Sequence, residues 1–341
     1  MTTPTPPPWS AAPPPGAPYD PAPAGPPLAY HELHRGGRFA TWRSVVGSLL
    51  LAVGVFIVAP IALIIPFAFW YVATGAPLEE SMTRLVTISD PTPAGLAYLN
   101  IALASAIPIT WLLTRTLHGL GPRWLASVAP RIRWSYFGVC LGLSVVALVA
   151  TIVVSLVLPD QGGPELSGRV NEFTDRTQAF LLVVLVLTPF QAAGEEYAFR
   201  GYLTQAFGGV FRSRVVAVVG PAILFALAHG IGQSVPIFFD RLAFGLVAGT
   251  LVILTGGLEA AIAMHVLNNF LAFGLALAFS DMATALNPTG GSWWNIPVTI
   301  TQSLVYLGLA VLVARQMGLA TTAEPPVLAA SQRPVYRFPP A

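Results

Sequence analysis

The sequence predicts an all-α protein, a polytopic membrane helix bundle with about eight transmembrane helices. Three observations lead there. The 341 residues are 55% hydrophobic and only 9% charged, against about 25% charged in soluble domains. Eight apolar segments are each long enough to cross a bilayer core, which takes about 20 helical residues. None shows the two-residue alternation of a barrel strand, and only helices or closed barrels satisfy their backbone in lipid. The connections between segments also alternate in charge type, as loops on opposite sides of a membrane do.

Residues 1–40 come first and read as a disordered, Pro/Ala-rich cytoplasmic tail, TTPTPPPWSAAPPPGAPYDPAPAGPPLAY and its continuation. The composition favours polyproline II over any packed fold, and it offers a Pro-reading partner a surface. No apolar stretch near Met1 reads as a secretory leader. The eight segments follow at about 44–73, 96–116, 136–158, 178–206, 214–233, 237–256, 258–279 and 296–316. The connection at 256–258 is so short that segments six and seven form an antiparallel pair. Residues 320–341 close the chain as a second polar tail.

Orientation follows from arginine. All seventeen basic residues are arginine, which points to GC-rich coding and a bacterial plasma membrane. Arg35, Arg38 and Arg43 precede segment one. Arg123, Arg131 and Arg133 separate segments two and three, and Arg212 and Arg214 separate four and five. Arg315, Arg333 and Arg337 follow segment eight. The alternate connections carry mainly acids: Glu79, Glu80, Asp90, Asp160, Glu165, Glu172, Asp175 and Asp281. Both termini are therefore expected in the cytoplasm. A net charge of +2 suggests no nucleic-acid partner. Cys140 stands alone in an apolar run and reads as a small buried hydrophobe.

Ionisable residues inside a span are costly and tend to face a bundle interior or wet cavity. Three such clusters occur, all in the C-terminal half: Glu195-Glu196-x-x-x-Arg200 in segment four, Phe225-x-x-x-His229 in segment five, and His265-x-x-Asn268-Asn269 in segment seven. Residues 41–176 thus read as N-terminal scaffold helices, 177–279 as the functional core and 280–319 as the last transmembrane helix. Glu196 and Arg200 are four apart on a helix and can pair. Glu195 lies about 100° round from Glu196, free to point elsewhere. Pro189 removes one backbone bond and is expected to kink the helix ahead of the cluster. Each cluster also has a plainer reading, as an ion network, a core histidine or interhelical hydrogen bonding. At about 1.5 Å per residue all three fall near mid-bilayer, which makes a shared site plausible.

In this order, on successive apolar helices, the three motifs resemble the CPBP family of intramembrane proteases, which includes type II CAAX prenyl endopeptidases and Abi, bacteriocin-immunity-like proteins. The resemblance spans roughly 178–275. It implies that Glu195 activates water with His229 beside it, that His265 and Asn269 stabilise the oxyanion, and that Glu196 and Arg200 support them. The substrate it implies is a membrane-embedded or lipid-anchored peptide or protein. A cavity open to the cytoplasm is the corresponding expectation. His229 and His265 with a glutamate also match a catalytic zinc set in ligand type, so a divalent metal such as zinc is one option and metal-independent water activation the other. The rival readings are a non-catalytic immunity or scaffold protein that keeps the polar cluster for packing, and a transporter, which the lack of an evident internal repeat disfavours.

Overall fold

The computed structural model describes residues 25–159, 169–230, 232–286 and 292–325. The Pro-rich stretch 1–24, Asp160, Glu165, and the C-terminal stretch 326–341 with Arg333 and Arg337 lie outside the described residues. Eight apolar helices form the bundle: α1 (Thr41–Ala73), α2 (Pro93–His118), α3 (Trp134–Val157), α4 (Asp175–Phe211), α5 (Arg214–Ala228), α6 (Val235–Thr255), α7 (Glu259–Phe279) and α8 (Asn295–Gln316). Seven are long and apolar enough to span a membrane. The exception, α5, has 15 residues, or about 22 Å of rise.

α5 stops earlier than its hydropathy suggests because the chain turns at Gly230, whose φ of +115° is a left-handed conformation only glycine adopts cheaply. His229 is therefore the residue that caps α5 rather than one inside it. The freed end of the helix is satisfied by side chains: Gln233 Nε2 donates to the Ala226 carbonyl at 2.6 Å and Arg241 Nη1 to the His229 carbonyl at 3.4 Å.

The bundle packs α4 against α2 and α7, α7 against α3, α8 against α3 and α6, and α6 against α5. Alanines with no exposed surface, among them Ala192, Ala248, Ala260, Ala263 and Ala310, let these helices approach closely, as lipid-embedded helices require. Gly194 marks the tightest point. A Cβ there would lie 2.4 Å from the Leu103 carbonyl oxygen of α2. That contact fixes α4 one residue before Glu195. On the outer faces Leu49, Ile65, Phe69, Leu156, Leu182 and Val215 are exposed, as expected of side chains that meet lipid tails.

Two irregular features set the site. α4 runs as helix straight through Pro189. Its departure from α-geometry comes later, as a π-helical turn over Tyr197–Leu203, a form that favours functional positions. The end of the bundle where the described residues begin and finish is tied together by several contacts. Leu28–Ala29 pairs antiparallel with Thr322–Ala323, and Tyr30–Gly36 forms a 3-10 turn that buries Tyr30, Leu33 and His34. Residues 28–36 therefore do not continue the tail expected up to residue 40, because YHELH supplies aromatic and apolar surface that the preceding Pro/Ala repeat lacks. Tyr30 Oη donates to the Leu125 carbonyl, and His34 stacks on His118 with ring centres 3.8 Å apart. Below them Arg133 grips Glu259 with two bonds of 2.8 and 2.6 Å, tying the α2–α3 connection to the start of α7.

Candidate active site

Each of the three clusters reaches the same region, carried by α4, the end of α5, and α7. Glu196 is fully buried and accepts a hydrogen bond from Arg200 Nη1 at 3.0 Å. The same oxygen, Oε1, lies 2.8 Å from His265 Nδ1. The sequence-based pairing of Glu196 with Arg200 is thus present, and Glu196 has a second duty that spacing did not reveal. It orients the α7 histidine. Because a carboxylate oxygen accepts, Nδ1 is the protonated nitrogen of His265, an assignment made from the hydrogen-bond network. Its other nitrogen, Nε2, points at Glu195 Oε2, 3.8 Å away.

Glu195 does face away from Glu196. Its Oε1 accepts from Gln191 Nε2 at 2.6 Å, while Oε2 is buried and has no hydrogen-bond partner. Gln191 in turn accepts from Asn269 Nδ2 at 3.0 Å. These bonds have a defined polarity. An ionised Glu195 can only accept, so the amide nitrogen of Gln191 must face it. The amide oxygen of Gln191 then faces Asn269, whose nitrogen must point back. One Asn269 N–H is used in this way, and its second N–H remains. Sequence reasoning missed Gln191. The signal was there, since Gln191 stands four residues before Glu195 in an otherwise apolar helix.

His229 is held by its own helix, with Nδ1 2.8 Å from the Phe225 carbonyl, which leaves Nε2 as the free nitrogen. The Phe225 ring lies between the clusters. Its centre is 4.6 Å from the His229 ring and 6.1 Å from the His265 ring, and the Arg200 guanidinium stacks over it at 4.1 Å, a cation–π contact. Asn268 takes a different direction, accepting from Gln302 Nε2 of α8 at 3.4 Å, which is the plainer interhelical role.

Glu195, His229, His265 and Asn269 all line one cavity of about 290 Å³, with Gln191, Phe244 and Arg241. Glu195 and His265 form its deep end. The cavity extends toward the starts of α2, α6 and α8 and the end of α7, at Asn100, Asp240, Thr299 and Phe273. It therefore lies toward the end of the bundle opposite the termini. The expectation is a cavity on the terminal, arginine-rich side; apart from His265 and Phe225, the lining residues lie in the other half of the bundle, and the strand pair, the 3-10 turn and the Arg133–Glu259 pair occupy the terminal end. A larger cleft of about 420 Å³ near Asp90, Asn171 and Arg176 lies among surface connections away from these side chains.

The donor set does not favour a metal. A catalytic zinc takes three protein ligands, and among the described residues no group of three or more His, Cys, Asp or Glu side chains is arranged to hold one. His229 and His265 each bond an oxygen through Nδ1, as a ligating histidine also does, so it is the donor count and not the tautomer that argues against a metal.

Comparison with known proteins agrees on the same helices. Residues 177–271 match the family model described as type II CAAX prenyl endopeptidase Rce1-like. The chain is also similar to the uncharacterized protein YyaK of Bacillus subtilis (strain 168), at 25% identity over 287 residues, covering 81% of this chain and 93% of that protein. No solved structure matches.

Proposed function

Taking residues 177–271 as an Rce1-like core, we propose that this membrane protein is an intramembrane endopeptidase that uses Glu195 to activate water against a peptide bond of a membrane-associated substrate. The single observation that carries the reading is the free Oε2 of Glu195, a buried acceptor with no partner at the deep end of a cavity. Buried polar atoms are nearly always bonded, so an orphaned carboxylate oxygen there is a place for a water. His229, through Nε2, is the second contact for that water.

In the reaction the water oxygen forms a bond to the substrate carbonyl carbon as Glu195 takes the water proton. The carbonyl oxygen becomes an oxyanion. The second N–H of Asn269 donates to it, and His265 joins it as an imidazolium, with Nε2 protonated as well as Nδ1; such donors gain strength where water is scarce. The C–N bond then breaks, and Glu195 returns its proton to the leaving nitrogen. Glu196, Arg200 and Gln191 touch none of the reacting atoms and act by holding His265, Phe225, Glu195 and Asn269 in place. The mechanism is metal-independent, so cleavage by purified protein persists after treatment with a strong chelator; loss of cleavage that added zinc restores overturns it.

The arginine pattern supports a cytoplasmic position for both termini. The deciding experiment compares Glu195→Ala and Glu195→Gln with the parent on a transmembrane peptide substrate in detergent. Both variants insert and fold, and both lose cleavage. Parental rates in either variant sink the mechanism. A biological effect retained by Glu195→Gln without cleavage supports the packing role instead.

A further inference from the structure

The positions of the arginines and of the cavity, taken together, carry a consequence for where the substrate comes from. Among the described residues, ten arginines sit at the end of the bundle that holds the termini: Arg35, Arg38 and Arg43 near the start of α1, Arg115, Arg123, Arg131 and Arg133 around the α2–α3 connection, Arg212 and Arg214 between α4 and α5, and Arg315 at the end of α8. Four, Arg84, Arg169, Arg176 and Arg241, sit toward the other end, and Arg200 is buried within the bundle. Short connections rich in arginine stay in the cytoplasm. The opposite end, where the acids Glu79, Glu80, Asp90, Glu172 and Asp281 lie, faces outward.

The cavity belongs to that outward end. Asp240 and Arg241 are in the first turns of α6, Thr299 and Gln302 in the first turns of α8, Phe273 in the last turns of α7, and Ala285 beyond α7. The breach comes from α5. It starts at Arg214 on the terminal side and covers only about 22 Å of a core about 30 Å thick, so the chain ends its helix at His229 short of the outer surface. Irregular backbone at membrane depth is tolerated where it lines a wet cavity or is covered by protein. Here His229, at the end of α5, lines the cavity, and the carbonyls of Ala226 and His229 are met by Gln233 and Arg241.

We propose that the site opens to the extracytoplasmic face and takes its substrate from that side: a polypeptide segment already outside the cytoplasm or seated in the outer leaflet. The substrate class rests on the endopeptidase reading above, whereas the direction of opening does not. The cavity suits such a segment. Asp240, Arg241, Thr299 and Gln302 offer hydrogen bonds to an extended backbone along one wall, and Phe244 and Phe273 offer an apolar surface along another.

The test uses the full chain in intact cells, with Cys140 replaced by alanine and single cysteines introduced as Ala285→Cys at the cavity mouth and Thr321→Cys at the terminal end. The probe is a membrane-impermeant maleimide, with a permeant maleimide as the parallel treatment. The expected result is that Ala285→Cys is labelled by the impermeant reagent in intact cells, and Thr321→Cys only after permeabilisation. The reverse pattern overturns the proposal. So does an Ala285→Cys protein that resists both reagents, because the cavity is then closed to outside water. Cleavage plays no part in the labelling. A labelled mouth in a protein that cuts nothing leaves this inference standing and removes the endopeptidase reading.

Discussion

The two ends of the bundle are built on different rules. At the terminal end, charged and aromatic groups are locked to one another: Arg133 to Glu259, Tyr30 to the Leu125 carbonyl, His34 against His118, and His118 to Tyr202 at 2.9 Å. At the other end, polar side chains converge on a space, and one carboxylate oxygen is left without a partner. The first pattern holds helices together, and the second leaves room for a ligand. The boundary runs within a single turn of α4. Glu196 bonds Arg200 and His265 through Oε1 and lies outside the cavity lining, whereas Glu195 lines the cavity, so two adjacent carboxylates do different work.

Substituting that pair is the sharpest way to break the comparison. Glu195→Gln should lower the cleavage rate by about 10²–10⁴-fold, the usual worth of a general base, with little change in melting temperature in detergent. Glu196→Gln should do the converse first. It leaves Arg200 buried without its counter-ion, at a cost of about 3–5 kcal/mol, and it releases His265. A thermal melt of the purified variant should show that loss. If Glu196→Gln melts with the parent while Glu195→Gln collapses, the assignment of the two carboxylates is inverted.

Gln191 sharpens the same boundary with a smaller effect. Gln191→Leu keeps the volume but severs the chain from Glu195 to Asn269. A misplacement of about 1 Å at reacting groups can cost up to about 10²-fold in rate, so kcat should fall within that range while KM stays near the parental value. The double variant Gln191→Leu/Asn269→Ala should be no slower than Asn269→Ala alone, since both interrupt one chain. Additive losses would mean that Gln191 acts elsewhere.

How much of this the sequence could reveal depends on the range of the signal. The eight apolar stretches are legible because lipid imposes a length and a composition on each helix separately, and α1, α3 and α8 sit close to their expected bounds. Glu196 with Arg200 is legible because four-residue spacing is local. The contact of Glu196 with His265 is not, since it joins positions 69 residues apart and depends on how α4 and α7 rotate against each other. The early end of α5 is half legible. Gly230 could be seen, but GIGQSVP gave no reason to stop at His229 rather than four residues later. The folding-in of residues 28–36 was hidden by neighbours. YHELH differs from the Pro-rich stretch in composition, but its place in the fold shows in its contacts with Leu125, His118 and Gly209.

The gentlest probe concerns the terminal end. His34 lies outside the spanning helices and is fully buried, and neither ring nitrogen has a hydrogen-bond partner among the described residues. Burial, and then the neighbouring His118, hold its pKa well below the ordinary value of 6.5. In the unfolded chain the ring gains a proton as pH falls through about 6.5; in the folded protein it stays neutral until lower pH. The unfolded state therefore binds more protons in that window, and stability must fall as pH drops below about 6.5. The slope from one such group is at most about 1.4 kcal/mol per pH unit. Melting temperatures in detergent measured downward from neutral pH should show the decline, and His34→Phe, which keeps a ring stacked on His118, should flatten it. An unchanged slope in His34→Phe would assign the acid sensitivity to other groups and leave the His34 stack as packing alone.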